Sequence, residues 1–303
     1  MERAKGIFLI ITGAVLWGAT GPIMEWILSN TKLSVSFMLT LRLLIAGAGM
    51  ILFIRIQGNE ITSMWKSVYW IKRFFLFSIL GMLGLQFSFV SAIEASNAVV
   101  ATLLQFLAPI FVVVFVSLDL KKWPPTYQII GITGTLVGLF LLLTNGSMTN
   151  LVLSPAALGW GITVGLSFAF YTLYPAALMK EWGVFLVVGW SMLFAGIILA
   201  LITRIWESTE WIYLMDVKLV FFLTMVIVFG TLAFVLFLSS MKYISAIETS
   251  ILSSLEPLTA MVISVLWLQQ ILGLWQWVGA LFMLIFVTWL SISGKKDKKP
   301  ADI

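Results

Sequence analysis

The chain has 303 residues, of which 61% are hydrophobic and 10% are charged, with a formal net charge of +5. A soluble domain carries about 25% charged residues, so this chain lacks the polar surface of a water-soluble protein. It contains no cysteine and no histidine, which excludes disulfides, thiolate chemistry, imidazole metal ligands and histidine proton relays. The pI near 9.4 does not indicate nucleic-acid binding, because the basic residues lie in short loops and in the tail.

Apolar stretches long enough to cross a bilayer recur along nearly the whole chain. A membrane helix needs about 20 apolar residues, and on this criterion the sequence predicts an all-α membrane protein with ten transmembrane helices. The predicted spans are 6–28, 34–54, 74–93, 97–118, 127–144, 155–179, 184–203, 218–241, 245–267 and 274–292. The first stretch is too long for a signal peptide, and the short linkers leave no room for a separate soluble domain.

The basic residues predict an orientation. Short loops rich in Lys and Arg stay in the cytoplasm. With the N-terminus inside, 14 of the 18 basic residues lie in cytoplasmic segments, three lie outside, and Arg42 lies within span two. The sequence therefore predicts a multi-pass protein of the cytoplasmic membrane with both termini in the cytoplasm.

Two stretches, "ATLLQFLAPI" and "TSILSSLEPL", indicate an internal repeat, because their prolines are separated by 148 residues. The residues that recur at intervals of 19 and 3 are Pro109, Gln128 and Gly131, and then Pro257, Gln276 and Gly279. We predict two repeats, 1–146 and 147–293, followed by a basic cytoplasmic tail, 294–303. Each repeat holds five helices, an odd number, so the second repeat is inverted in the membrane. Inverted repeats are typical of secondary transporters.

Four prolines lie within predicted spans, in two matched pairs. They are Pro22, Pro109, Pro175 and Pro257. A proline lacks an N–H and frees the carbonyl four residues earlier, which lipid cannot satisfy. The pattern predicts broken helices one, four, six and nine around a transport site. The alternative is that these prolines only kink the helices for packing.

Glu256 is the most informative single residue. It lies about midway along span nine, where an ionised group costs roughly 2.5–3.5 kcal/mol on insertion scales. We expect it to face a wet cavity, to pair with a cation or to be protonated. The alternative is a neutral carboxyl group that only satisfies the carbonyl of a broken helix.

Arg42 is the second charge well inside a span. It can pair with Glu25, which lies nearer the outer end of span one, or it can bind an anionic group. A third possibility is that its guanidinium extends to the outer interface.

Further polar and aromatic residues are candidates for substrate binding. Gln86 and Gln105 can donate and accept hydrogen bonds within predicted spans. Trp17, Tyr171 and Tyr174 lie near the proline breaks, where aromatic rings can bind organic cations. The alternative for the aromatic residues, including Trp160 and Trp190, is a place in the belts at the membrane interfaces.

These motifs resemble the two EamA-type repeats of the drug/metabolite transporter superfamily. The resemblance is carried by "AVLWGATGP", "ASNAVVATLLQFLAP" and "AIETSILSSLEPLTAMVISVLWL" followed by "WQWVGALFML", and it covers nearly the whole chain. It implies a ten-helix fold around a central cavity, and it places Trp17, Gln105, Ser253, Glu256 and the prolines at motif positions. One departure concerns the glutamate that the family often carries 13 residues after the motif proline, since Lys122 and Gln270 stand there.

Together these features predict a secondary transporter, or permease, that moves a small polar metabolite by alternating access. Amino acids and related compounds, moved outward as the resemblance implies, are the first expectation for the substrate. The alternative is a transporter of organic cations such as quaternary amines, which would use the aromatic rings with Glu256. A membrane-embedded enzyme or scaffold is a remote alternative, because no cluster of acids, bases or metal ligands is evident. We expect no cofactor and no metal, and a proton could be the coupling ion only through a carboxylate.

Overall fold

The computed structural model of the chain describes residues 2–147, 153–240, 243–244, 252 and 255–293. These residues form helices and connecting turns, with no β-strand among them. The α-helices are α1 (Glu2–Asn30), α2 (Val35–Ile56), α3 (Val68–Leu76), α4 (Gly84–Ala95), α5 (Ala98–Gln105), α6 (Ala108–Leu120), α7 (Thr126–Thr144), α8 (Pro155–Leu173), α9 (Ala176–Trp182), α10 (Val184–Thr203), α11 (Val217–Ser240), α12 (Leu255–Leu266) and α13 (Leu274–Ser293).

Seven helical stretches in the described part of the chain are long and apolar enough to cross a membrane. They are Glu2–Asn30, Val35–Ile56, Val68–Ala95, Ala98–Asp119, Pro155–Leu173, Val184–Thr203 and Val217–Phe237. Three shorter apolar helices, Thr126–Leu142, Leu255–Leu266 and Leu274–Phe286, overlap predicted spans five, nine and ten. The prediction of an all-helical fold with membrane-crossing helices is therefore confirmed for the described residues, whereas the count of ten spans stays a prediction.

Three of the helices begin with a polar cap. Ser34 before α2, Asn97 before α5 and Ser154 before α8 each accept a hydrogen bond from the amide three residues later, at 3.2, 2.9 and 3.1 Å. Such caps satisfy amides that have no partner within the helix. Because lipid offers no replacement for a missing partner, these residues fix where the apolar helices begin.

The packing of the helices follows a reciprocal pattern. Helix α1 packs against α11 and α12, and α8 packs against α4 and against α5 and α6. Helix α2 packs against α10, and α7 packs against α13. The helices of the two groups correspond pairwise: α1 to α8, α4 to α11, and α5–α6 to α12. The contacts of α1 with α11 and α12 therefore correspond to the contacts of α8 with α4 and with α5 and α6. In the same way α2 corresponds to α10 and α7 to α13, so each of these two contacts joins a helix to its own counterpart.

The α2–α10 contact shows the same reciprocity at single residues. A Cβ atom on Gly47 would lie 2.5 Å from the backbone nitrogen of Leu193, and one on Gly196 would lie 2.9 Å from that of Leu44. Only glycine permits so close an approach of two helix backbones. Leu44 and Gly47 correspond to Leu193 and Gly196 at one constant spacing of 149 residues.

A π-helix, Phe77–Leu83, joins α3 to α4. The sequence analysis did not predict this wide turn. A Cβ atom on Gly81 would lie 2.7 Å from the Phe77 ring, so the glycine leaves room for the ring inside the turn. A π-helical turn takes in an extra residue, which changes the face that the following turns present. The π-helix therefore sets the direction of the α4 side chains.

The prolines have unequal effects on the helices. The prediction of a broken helix one is wrong, since α1 continues through Pro22 to Asn30. A proline removes one backbone hydrogen bond without forcing the chain out of the helix, and membrane helices tolerate this where neighbours pack closely. Turns do interrupt the chain at 106–107, just before Pro109, and at 174–175, which includes Pro175. Pro257 lies in the first turn of α12, and residues 253–254 before that helix lie outside the described residues.

Candidate functional site

A cavity lies between helices of the first half of the chain and helices of the second half. It encloses about 620 Å³ of empty space, including the space at its mouth. The lining residues come from α1, α2, the π-helix, α4, α5, α8, α10, α11 and α12. They are Trp17, Thr20, Arg42, Met82, Leu85, Gln86, Phe89, Gln105, Phe168, Tyr171, Met192, Gly230 and Glu256. The mostly apolar lining with a few polar groups is typical of a small-molecule site.

Glu256 supplies a carboxyl group to this cavity. It is 8% exposed, and its Oε1 accepts a hydrogen bond from Gln105 Nε2 at 3.4 Å. A Cβ atom on Gly18 would lie 2.8 Å from Cβ of Thr259, so the glycine lets α1 pack closely against α12 beside Glu256. The structure thus brings Glu256 and Gln105, which the sequence analysis singled out separately, into one hydrogen-bonded pair.

Arg42 supplies a guanidinium group to the same cavity. The residue is 8% exposed, and its Nη1 lies 3.9 Å from the sulfur of Met24. On the α11 side, a Cβ atom on Gly230 would lie 2.8 Å from Arg42 Nη2. Glycine at this position therefore makes room for the guanidinium. In the described part of the chain, Arg42 forms no ion pair.

The expected pair of Glu25 and Arg42 is not formed. Glu25 Oε2 accepts a hydrogen bond from the backbone amide of Ala98 at 2.7 Å, and Oε1 accepts one from the side chain of Gln270. A carboxylate is favourable at a helix N-terminus because it meets unpaired amides and the positive end of the helix dipole. Glu25 therefore stabilises the start of α5, and Arg42 faces the cavity instead.

Gln86 lies on α4, just after the π-helix. Its Nε2 lies 3.1 Å from the sulfur of Met82. Its Oε1 is buried and has no hydrogen-bond partner among the described residues. A buried acceptor without a partner is unfavourable, so a ligand or water in the cavity can satisfy it.

The candidate aromatic residues separate into two groups. Trp17 and Tyr171 line the cavity, and Trp17 packs edge-on against Phe237. Tyr174 does not line it, because α8 ends at Leu173 and the Tyr174 ring stacks on Phe170 at 4.7 Å. The guanidinium of Arg73 lies 5.3 Å from the Tyr174 ring centre. The candidate role of Tyr174 in the cavity is therefore not supported.

Three other candidates lie away from the cavity or outside the described residues. Trp160 packs against Phe87 at 5.8 Å, and Trp190 Nε1 donates a hydrogen bond to the carbonyl of Ile61. Neither lines the cavity. Ser253 lies outside the described residues.

Sequence reasoning did not identify several lining residues. It considered Arg42 as a partner of Glu25 or of an anionic group but did not count it among the substrate-binding candidates. It missed the apolar and small residues Thr20, Met82, Leu85, Phe89, Phe168, Met192 and Gly230. The signal for Arg42 was present, because a charge at mid-span is by default a functional candidate. The other residues carry no such signal, since apolar residues are common in every span.

The chemistry that this arrangement can perform is binding. Among the described lining residues there is one acid, Glu256, and one base, Arg42, together with two amide side chains. These groups can hold a small molecule by charge and hydrogen bonds.

The EamA-like transporter family matches residues 4–144 and again residues 155–292. The "Uncharacterized inner membrane transporter YicL" of Salmonella typhimurium is 37% identical over 98% of both chains. The "Uncharacterized transporter YwfM" of Bacillus subtilis is 26% identical over 95% of this chain and 94% of that protein.

A solved crystal structure shares the fold. It superposes with a TM-score of 0.60 and covers 98% of this chain and 100% of the other, at 17% sequence identity. At that identity the likeness shows the fold alone. The family match spans most of the chain in two segments, and it confirms the resemblance that the motifs indicated. The chain belongs to the EamA-like transporter family and is a membrane transporter.

Proposed function

We propose that this protein is a secondary transporter that moves a small polar metabolite by alternating access. The observation that carries the proposal is the cavity, because its lining comes from both segments that the family matches. Trp17, Arg42 and Gln105 belong to the first segment, and Tyr171 and Glu256 to the second. A site between two bodies can be exposed to either side when one body moves against the other.

The proposed architecture is ten transmembrane helices in two inverted repeats, 1–146 and 147–293, followed by the tail 294–303. Three observations support it. The same family matches twice, the main helix contacts described above are unchanged when the halves are exchanged, and the Leu44–Gly47 pair corresponds to Leu193–Gly196. Because two such repeats have the same fold, the conformations of a transporter that are open to either side of the membrane can have similar helix packing.

The proposed location is the cytoplasmic membrane, with both termini in the cytoplasm. The excess of Lys and Arg on one side supports the orientation. The name of the Salmonella relative describes an inner membrane transporter, which supports the location.

The substrate that we propose is an amino acid or a related compound. Carboxyl, guanidinium and amide groups line the cavity, and they complement the charged ends of such a molecule. If transport is coupled to protons, Glu256 is the coupling residue, because it is the one acid among the described lining residues.

A second candidate substrate is an organic cation such as a quaternary amine. The rings of Trp17, Phe89, Phe168 and Tyr171 line the cavity, and aromatic faces attract such cations by up to about 2 kcal/mol when desolvated. The position of Tyr174 outside the cavity weakens this alternative.

Alternating access can be tested with single cysteines, because the chain has none of its own. Leu85→Cys places a thiol in the cavity, and Glu60→Cys places one in the exposed loop after α2. We expect a membrane-impermeant maleimide to label Leu85→Cys from both sides, in right-side-out and in inside-out vesicles. Glu60→Cys should react from the cytoplasmic side alone. Labelling of Leu85→Cys from one side only, in the presence and absence of an amino-acid gradient, contradicts alternating access.

A further inference from the structure

We infer that Arg42 binds the carboxylate of a zwitterionic substrate whose ammonium group is bound by Glu256 and Gln86, with Gln105 holding the Glu256 carboxyl group in place. On this basis the cavity accepts amino acids with an apolar side chain and rejects cations that lack a carboxylate. The inference rests on the proposed function and names its substrate class.

Arg42 has the surroundings of an anion-binding residue. It is buried, it touches a thioether and the glycine backbone of α11, and it forms no ion pair in the described ranges. Burying a charge is unfavourable unless a partner of opposite sign is present. The planar guanidinium matches a carboxylate by two parallel hydrogen bonds. Since the guanidinium borders empty space, a ligand carboxylate can supply the missing partner.

The acceptors for an ammonium group lie on other helices around the same space. Glu256 on α12 presents a carboxyl group, and Gln86 on α4 presents a buried carbonyl oxygen without a partner in the described residues. The Gln105 side chain holds the Glu256 carboxyl group in place through the 3.4 Å hydrogen bond. A ligand completes these contacts by donating hydrogen bonds. An ammonium group suits this role because it carries three N–H donors.

The rest of the lining is apolar, which indicates the nature of the substrate side chain. Trp17, Met82, Leu85, Phe89 and Phe168 offer rings, a thioether and methyl groups. A polar substrate side chain would lose its water there without gaining hydrogen bonds. An apolar side chain gains from the same transfer.

Arg42 also separates this substrate class from organic cations. A choline-like molecule would meet a second positive charge in the cavity and would leave Arg42 without an anion. In a site shielded from water this repulsion acts more strongly than in solution. A zwitterion satisfies both charges at once, so the aromatic lining alone does not favour a cation.

The first test compares ligands on the unmodified protein. Thermal unfolding of the purified full chain would be followed with free L-leucine, L-methionine and L-phenylalanine, with their amides, with the deaminated acids, and with choline. We expect at least one free amino acid to stabilise the protein. Its amide and its deaminated acid should bind about 10–100-fold more weakly, as expected for the loss of a charged hydrogen-bonded contact. Equal stabilisation by the amide or by choline, or no stabilisation by any of the three amino acids, overturns the inference.

The second test changes the arginine and its surroundings. Arg42→Met should weaken binding of the free amino acid to the level of the amide and leave the affinity for the amide unchanged. Gly230→Ala should also weaken binding, because the new methyl group displaces the guanidinium. Arg55→Met, at the exposed end of the same helix, is the matched control. An unchanged amino-acid affinity in Arg42→Met contradicts the inference, and the ligand comparison decides if that variant does not fold.

Failure of this inference differs from failure of the proposed function. If choline but no amino acid shows counterflow in proteoliposomes, the protein is still a transporter, but the role assigned to Arg42 is contradicted. Labelling of Leu85→Cys from one side only would contradict alternating access, even if an amino acid binds beside Arg42.

Discussion

Gln105 Nε2 donates a hydrogen bond to Glu256 Oε1 over 3.4 Å and thereby joins two residues that are 151 positions apart. Gln105 is the last residue of α5, immediately before the turn at 106–107, and Glu256 lies in the first turn of α12. The contact connects the two family-matched segments across the cavity. Any movement of one segment against the other must change the surroundings of this pair.

We expect Glu256→Gln to reduce transport by at least about tenfold and to leave the fold intact. The substitution keeps the size and the hydrogen-bonding ability of the side chain but removes its capacity to carry charge or a proton. Counterflow of a radiolabelled amino acid in proteoliposomes measures the effect, and size-exclusion chromatography checks the fold.

Glu94→Gln is the matched control for that variant, because Glu94 is exposed near the end of α4. It should transport like the unmodified protein. Wild-type kinetics in Glu256→Gln would remove this carboxyl group from the mechanism.

Trp17→Ala should weaken amino-acid binding by less than about tenfold, because a zwitterion depends on Arg42 and Glu256 more than on one ring. For a quaternary amine, losing a cation–π contact of up to about 2 kcal/mol would be more serious. Thermal-shift titrations with L-leucine and choline measure both. A loss confined to choline, in a protein that binds choline well, would favour the organic-cation alternative.

Glu25→Ala should destabilise the protein by about 1–2 kcal/mol. The variant removes the acceptor for the Ala98 amide and for the Gln270 side chain, and a lost helix cap costs about this amount. Thermal unfolding in detergent measures the shift. Glu94→Ala, which removes an exposed carboxylate from α4, should leave the unfolding temperature unchanged. Equal shifts in the two variants would indicate that the Glu25 contacts contribute nothing particular.

Gly47→Ala should destabilise the α2–α10 contact by about 1–3 kcal/mol, the usual cost of overpacking. The added methyl group would lie 2.5 Å from the backbone of Leu193, and a backbone cannot turn aside as a side chain can. Gly49→Ala on the same helix is the control, since nothing lies within 4 Å of its Cβ position. It should be neutral or slightly stabilising, because alanine favours the helix. Equal stability of the two variants would contradict the close packing.

Local chemistry along the chain determined a large part of this protein. Hydropathy determined the membrane class and the approximate helix limits, because the length of an apolar stretch must match the bilayer. The repeated motif determined the family, and the interruptions near Pro109 and Pro175 followed from the missing N–H of proline. Glu256 was evident as a candidate because a carboxyl group at mid-span is unfavourable against lipid.

Only the tertiary structure decided which faces of these helices meet. Tyr171 lines the cavity and Tyr174 does not, Arg42 faces the cavity and not Glu25, and the π-helix directs Gln86. In a soluble protein the hydrophobic period would indicate the buried face of each helix. Here lipid and the protein interior are both apolar, so that signal is weak, and the contacts between helices decide the site.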